Sequence, residues 1–131
     1  VDKKPSRRDT LASRFRLQGI KVELSPGGFQ ALSMIEKDSY DSVIILGNQQ
    51  DMSAYELISL MRNVYRKEEL QIIYTDLRID EDIVMNILKQ GASEFIIYSE
   101  KVFGTILPKV EAFSPRTGKR KPTMTQEAKP N

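Results

Sequence analysis

Three short apolar runs, set apart by amphipathic stretches, constrain this chain more than any other feature. They are Ser42–Gly47, Gln71–Tyr74 and Glu94–Tyr98, all rich in β-branched or aromatic residues. Continuous apolar runs of this kind read as strands covered on both faces, as in a parallel sheet. A fourth segment, Ile20–Leu24, alternates in polarity and predicts a more exposed strand.

Helical patterns fill the intervals. Pro5 and Ser6 open the first, with Leu11 and Phe15 on one face and Gly19 as the stop. The second runs from about Gly28 to Lys37. The third begins with a capping box, Ser53 to Glu56, and carries Leu57, Leu60, Met61 and Val64. The fourth begins in the acidic turn Asp80-Glu81-Asp82, favourable at the positive end of the helix dipole, and stops at Gly91. Counted back from Gly91, its core stripe is expected at Val84, Met85 and Leu88, with Ile83 and Ile87 on the flank. The last spans Val102 to Phe113, and Pro108 is expected in its first turn or at a kink. Strict alternation of strand and helix predicts an α/β domain, a doubly wound parallel sheet built from right-handed crossovers.

Composition narrows the chemistry. Among 131 residues there is no Cys and no His. Disulfides, thiolate chemistry and phosphohistidine relays are therefore excluded, along with the commonest general base and metal ligand. No apolar run approaches the ~18 residues of a membrane span, and no signal-peptide core is visible. A cytoplasmic location is expected. Residues 1–17 carry six Lys or Arg against two Asp, residues 18–113 nine against fifteen acids, and residues 114–131 five against one. An acidic body with basic ends argues against a nucleic-acid-binding face. The polar stretch 114–131 contains three prolines and the run Lys119-Arg120-Lys121. It reads as a flexible basic linker or tail following a domain over 1–113.

Four pieces carry a resemblance. Gly91–Ile97 resembles the loop and fifth strand of CheY-like response-regulator receiver domains. Asp41–Ile45 resembles their third strand, Gly28–Leu32 their second helix, and Val1–Ser6 the acidic turn after their first strand. The resemblance covers residues 1 to about 113. It implies a flavodoxin-like (βα)5 fold with strand order 2-1-3-4-5, in which the first strand is missing or truncated here. Either residues preceding Val1 or another segment would fill that central slot.

The resemblance also implies a phosphoacceptor site at the carboxyl ends of the strands, where three carboxylates hold Mg²⁺. This sequence departs from that pattern. Leu46 stands at the acceptor position, Asp2 and Lys3 at the paired acidic positions, and Tyr98 at the lysine position, while Thr75 matches the switch hydroxyl and Phe95 the switch aromatic. Asp51 and Asp76 are the residues that could replace the acceptor, although loop aspartates more often cap turns. No GxGxxG-type phosphate loop is present.

The expected function is a non-phosphorylatable pseudo-receiver. It would act as a protein-interaction or regulatory module in bacterial-type signalling, without enzymatic activity, metal or cofactor. The alternatives are a receiver with an atypical acceptor, and a flavodoxin-like ligand-binding domain or enzyme. A protein partner, an output domain or a second copy is expected on the face of the fourth helix, last strand and last helix, through Ile83, Ile87, Tyr98 and Phe103.

Overall fold

The computed structural model describes residues 1–113 and the backbone of Thr123–Met124. Nine elements alternate from the start of the chain: α1 (Pro5–Leu17), β1 (Val22–Ser25), α2 (Gly28–Lys37), β2 (Ser42–Leu46), α3 (Ala54–Val64), β3 (Gln71–Asp76), α4 (Glu81–Gln90), β4 (Glu94–Ile97) and α5 (Val102–Ala112). A two-residue strand, β5 (Thr123–Met124), follows. The sheet runs β1-β5-β2-β3-β4 and every pairing is parallel.

The central slot predicted from sequence lies between β1 and β2. Thr123 and Met124 stand opposite Val22 and Glu23 at one end of it. Val1 continues the same lane at the other end: its amine donates to Ile44 O at 2.5 Å, and Leu46 N donates to Val1 O at 2.8 Å. Asp2 N then reaches across to Ser25 O at 3.1 Å. The expectation of a flexible tail over 114–131 lies outside the described residues apart from this strand.

Each face of the sheet has its own core. Val43, Ile45, Ile72 and Tyr74 point to the side covered by α2, α3 and α4. Ile44, Leu46, Ile73 and Ile96 point to the side of α1 and α5, where Phe15 and Phe103 meet edge to face at 5.0 Å. Residues alternate in direction along each strand while both sides are apolar, which is why the runs read as continuous. The strand expected to be more exposed is largely buried. Glu23 is only 7% exposed and accepts a hydrogen bond from the Tyr40 hydroxyl, so its polarity marks a satisfied buried group.

Helix ends follow local chemistry. The α3 capping box is formed, with Glu56 N donating to Ser53 Oγ. Asp80 caps α4 by accepting from Asp82 N and Ile83 N. Gly91 ends α4 at a φ of 132°, where a Cβ would also lie 2.5 Å from the Arg62 side chain. Pro108 sits in the middle of α5, past the first turn. It withholds the N–H that a continuous helix would offer four residues back.

The phase of α4 differs from expectation. Ile87 is buried, Val84 and Leu88 are half-buried, and Met85 is 55% exposed. The inward stripe is Val84-Ile87-Leu88, with Ile83 and Met85 falling about 100° to either side. The Gln90 side chain, bonded to Ser59 Oγ of α3 at 2.8 Å, helps to fix this rotation.

Arg62 fastens α3 to the α4–β4 turn. Its guanidinium donates to Gly91 O at 2.7 Å, Leu70 O at 2.8 Å, Tyr65 O at 3.3 Å and Ser93 Oγ at 3.3 Å. Burial lowers its pKa to about 10, still leaving it charged at neutral pH. Arg62→Ala should cost about 2–3 kcal/mol in urea unfolding, because several carbonyls lose a charged donor. Arg62→Lys should recover little of this, since one ammonium cannot reach all the acceptors.

Candidate functional site

The ends of β2, β3 and β4 meet the turn that enters α1, and the sequence-predicted site residues gather there. Asp2 leaves the central slot with its side chain wholly buried. A buried carboxylate needs a cation or several donors. Arg7, in the first turns of α1, supplies a two-pronged contact: Nε donates to Oδ2 at 2.5 Å, and a terminal nitrogen donates to Oδ1 at 2.6 Å. Lys4 N adds a bond to Oδ1 at 3.0 Å. The hydrogen bonds to Asp2 are the main reason that the Arg7 pKa is raised.

The same guanidinium closes the rest of the site. It approaches Leu46 O at 3.4 Å and lies 5.2 Å from the centre of the Tyr98 ring. The positive charge beside Tyr98 thus comes from α1. Burial, the largest cause, raises the Tyr98 pKa, with Arg7 opposing the shift. Lys3 points outward and is exposed. Leu46 is 1% exposed and packs into the α1/α5 core, offering no nucleophile.

Thr75 lies beside Leu46 in the β2–β3 register. Its hydroxyl is buried and makes no hydrogen bond among the described residues. Phe95 is half-buried on the opposite side of the sheet, with its ring 5.8 Å from that of Tyr74. Gln49 completes the loop after β2. Its amide nitrogen approaches Gly47 O at 3.1 Å, and Val1 O and Leu46 O at 3.4 Å.

The two loop aspartates have other partners. Asp51 caps α2, accepting from Gly28 N at 3.0 Å and Phe29 N at 2.9 Å. Asp76 accepts from the Tyr74 hydroxyl at 2.6 Å and from Leu77 N at 2.7 Å. Of the expected partner-face residues, Ile87 and Phe103 are core, 2% and 8% exposed, and belong to cores on opposite sides of the sheet. They are not surface residues. Ile83 is 51% exposed and Tyr98 is half-buried.

The donor set does not suit a divalent cation. Among the described residues no group of three His, Cys, Asp or Glu side chains could hold one. Arg7 already holds both oxygens of Asp2, and the nearby Asp76 carboxylate is engaged by the Tyr74 hydroxyl and Leu77 N. A Mg²⁺ there would sit beside a guanidinium with too few hard oxygen ligands. Sequence reasoning placed Asp2, Leu46, Thr75 and Tyr98 together but missed Arg7. The available signal was a basic residue in the first turns of the helix that follows an acidic turn.

Removal of the Arg7 head group should strand a buried charge. Arg7→Ala is expected to cost about 3 kcal/mol in chemical denaturation, with a substantial coupling to Asp2→Asn in a double-mutant cycle. Asp51 gives a second measurable effect. Partial burial pushes its pKa up, but the bonds from Phe29 N, Gly28 N and its own loop prevail and hold it below the ordinary value. A depressed folded-state pKa adds stability above the unfolded carboxylate pKa that is lost as pH falls through the folded value. Asp51→Ala should therefore cost about 1 kcal/mol at neutral pH, and less in acid, by thermal or urea unfolding.

No protein-family model matches the chain, and no curated protein matches it significantly. Solved structures do. A two-component response regulator from Clostridium difficile superposes with a TM-score of 0.79 at 20% identity, over 90% of this chain and 94% of that one. The receiver domain of Francisella response regulator 1452 gives 0.74 at 17% identity, over 86% and 90%. A CheY-like receiver domain protein from Methanospirillum hungatei JF-1 gives 0.74 at 18% identity, over 84% and 89%. The α/β architecture and parallel sheet of this chain are thus those of the response-regulator receiver fold.

Proposed function

We propose that this chain is a non-phosphorylatable receiver-type module that acts through protein contacts in bacterial-type signalling. The observation that carries the reading is the Asp2–Arg7 pair beside Leu46. Phosphoryl transfer to a receiver needs an acceptor oxygen and a metal-neutralised site. Here a leucine stands at the acceptor position, and a built-in cation neutralises the carboxylate. Thr75 and Phe95 keep their places without a phosphoryl group to couple them, so a protein partner is the agent that would select between conformations.

The atypical-acceptor alternative has less support, because Asp51 and Asp76 are engaged by backbone and Tyr74 donors. A flavodoxin-like enzyme would need chemistry that a site without His, Cys or an unpaired buried carboxylate does not offer. The partner is a separate protein, a second copy or an output domain. Two similar structures are response regulator/GGDEF domain proteins, of which this chain matches 46% and 48%. A cytoplasmic location fits this reading, and among the described residues no helix is long and apolar enough to cross a membrane.

The test is exposure to Mg²⁺ with acetyl phosphate or beryllofluoride, followed by amide NMR. No saturable shift is expected at Thr75, Leu46 or Asp2. Leu46→Asp alone should not change that result, because Arg7, Lys3 and Tyr98 remain. A stable Mg²⁺-dependent adduct in either protein would overturn the proposal.

A further inference from the structure

The entrance to α4 combines features that the degenerate site does not use. Leu77, Ile79 and Ile83 are 55%, 62% and 51% exposed within seven residues. A cleft of about 420 Å³ opens beside them, lined among others by Asn48, Tyr74, Asp76, Ile79, Asp80 and Ile83. Asp76, Arg78 and Asp80 line it, and Glu81 and Asp82 follow in the first turn of α4, so the segment 76–82 carries four acids against one base. Exposed aliphatic side chains next to a cleft mark an interaction surface when they cluster.

The charge selects the occupant. An acidic rim repels nucleic-acid phosphates and anionic lipid. It also opposes a symmetric pairing of two copies here, because a two-fold contact sets like residues against like. A cationic group is favoured instead. Asp80 caps α4 through Oδ1, and its other carboxylate oxygen is not used in that cap. The Tyr74 hydroxyl bond orients the Asp76 carboxylate at the cleft wall.

We propose that this cleft docks a basic amphipathic segment of a partner protein, with a Lys or Arg head group near Asp76 and Asp80 and an aliphatic side chain on Ile79 and Ile83. The inference rests on the protein-contact reading above and gives that partner a chemistry. It also places the contact away from Tyr98 and α5.

The experiment uses the full chain and a fluorescein-labelled amphipathic Leu/Lys peptide, with a Leu/Glu peptide of the same pattern as comparison. Saturable binding of the Leu/Lys peptide is expected, weakened by salt, with amide shifts centred on Ile79, Asp80 and Ile83. Ile79→Ser with Ile83→Ser should weaken it about tenfold or more, with the melting temperature little changed because both side chains face solvent. Glu81→Lys with Asp82→Lys serves as a second variant that leaves the apolar strip intact, and should also weaken binding severalfold. Equal affinity for the Leu/Glu peptide, or unchanged affinity in both double variants, would overturn the inference. Shifts centred on Tyr98 and α5 would overturn the location while leaving the protein-contact reading in place. A response to beryllofluoride would instead strike at the non-phosphorylatable reading, whatever the peptide does.

Discussion

A buried carboxylate at the end of a central sheet lane has to be neutralised, and the Asp2–Arg7 pair does this within the chain. In a receiver-type site the same requirement can be met by a divalent cation, which leaves the pocket open to an incoming phosphoryl group. A guanidinium meets it differently. It is permanently charged, planar and covalently tethered. Once Arg7 spans Asp2, the carbonyl of Leu46 and the face of Tyr98, the other departures at the site become mutually consistent. Leu46 brings no negative charge beside Asp2. Tyr98 provides a ring against which the guanidinium packs.

The sheet around this pair depends on a filled central lane. β1 and β2 face each other across it, and an empty lane would leave two unpaired edges inside the fold. Val1 and Asp2 fill the end nearest the site, and Thr123–Met124 fill the other end. The lane fixes where Asp2 emerges, and α1 then carries Arg7 back over it. Fold and site are therefore linked through a few backbone bonds.

Much of the fold was legible because buried parallel strands have an unmistakable composition. Val43–Leu46 and Ile72–Tyr74 are apolar on both faces, and the α3 capping box reads directly from Ser53 and Glu56. The failures had physical causes. Glu23 looked like a solvent-facing strand residue because its partner, Tyr40, is distant in sequence. The apolar residues of α4 fit two helical phases equally well, and a tertiary bond from Gln90 to Ser59 helps to set the one adopted. The resemblance pointed to Asp2, Leu46, Thr75 and Tyr98, but it gave no reason to look at Arg7. Its role emerges only when α1 is placed against the strand ends.

On the proposed reading, Arg7 stands where a metal ion would neutralise Asp2, and Mg²⁺ does not displace it. NMR of the Arg7 Nε–H group tests this most directly, since that proton points at Asp2. The expected result is a protected, slowly exchanging signal that stays in place as Mg²⁺ is titrated to concentrations that saturate ordinary Mg²⁺ sites. A saturable shift, or loss of protection as Mg²⁺ binds, would contradict it.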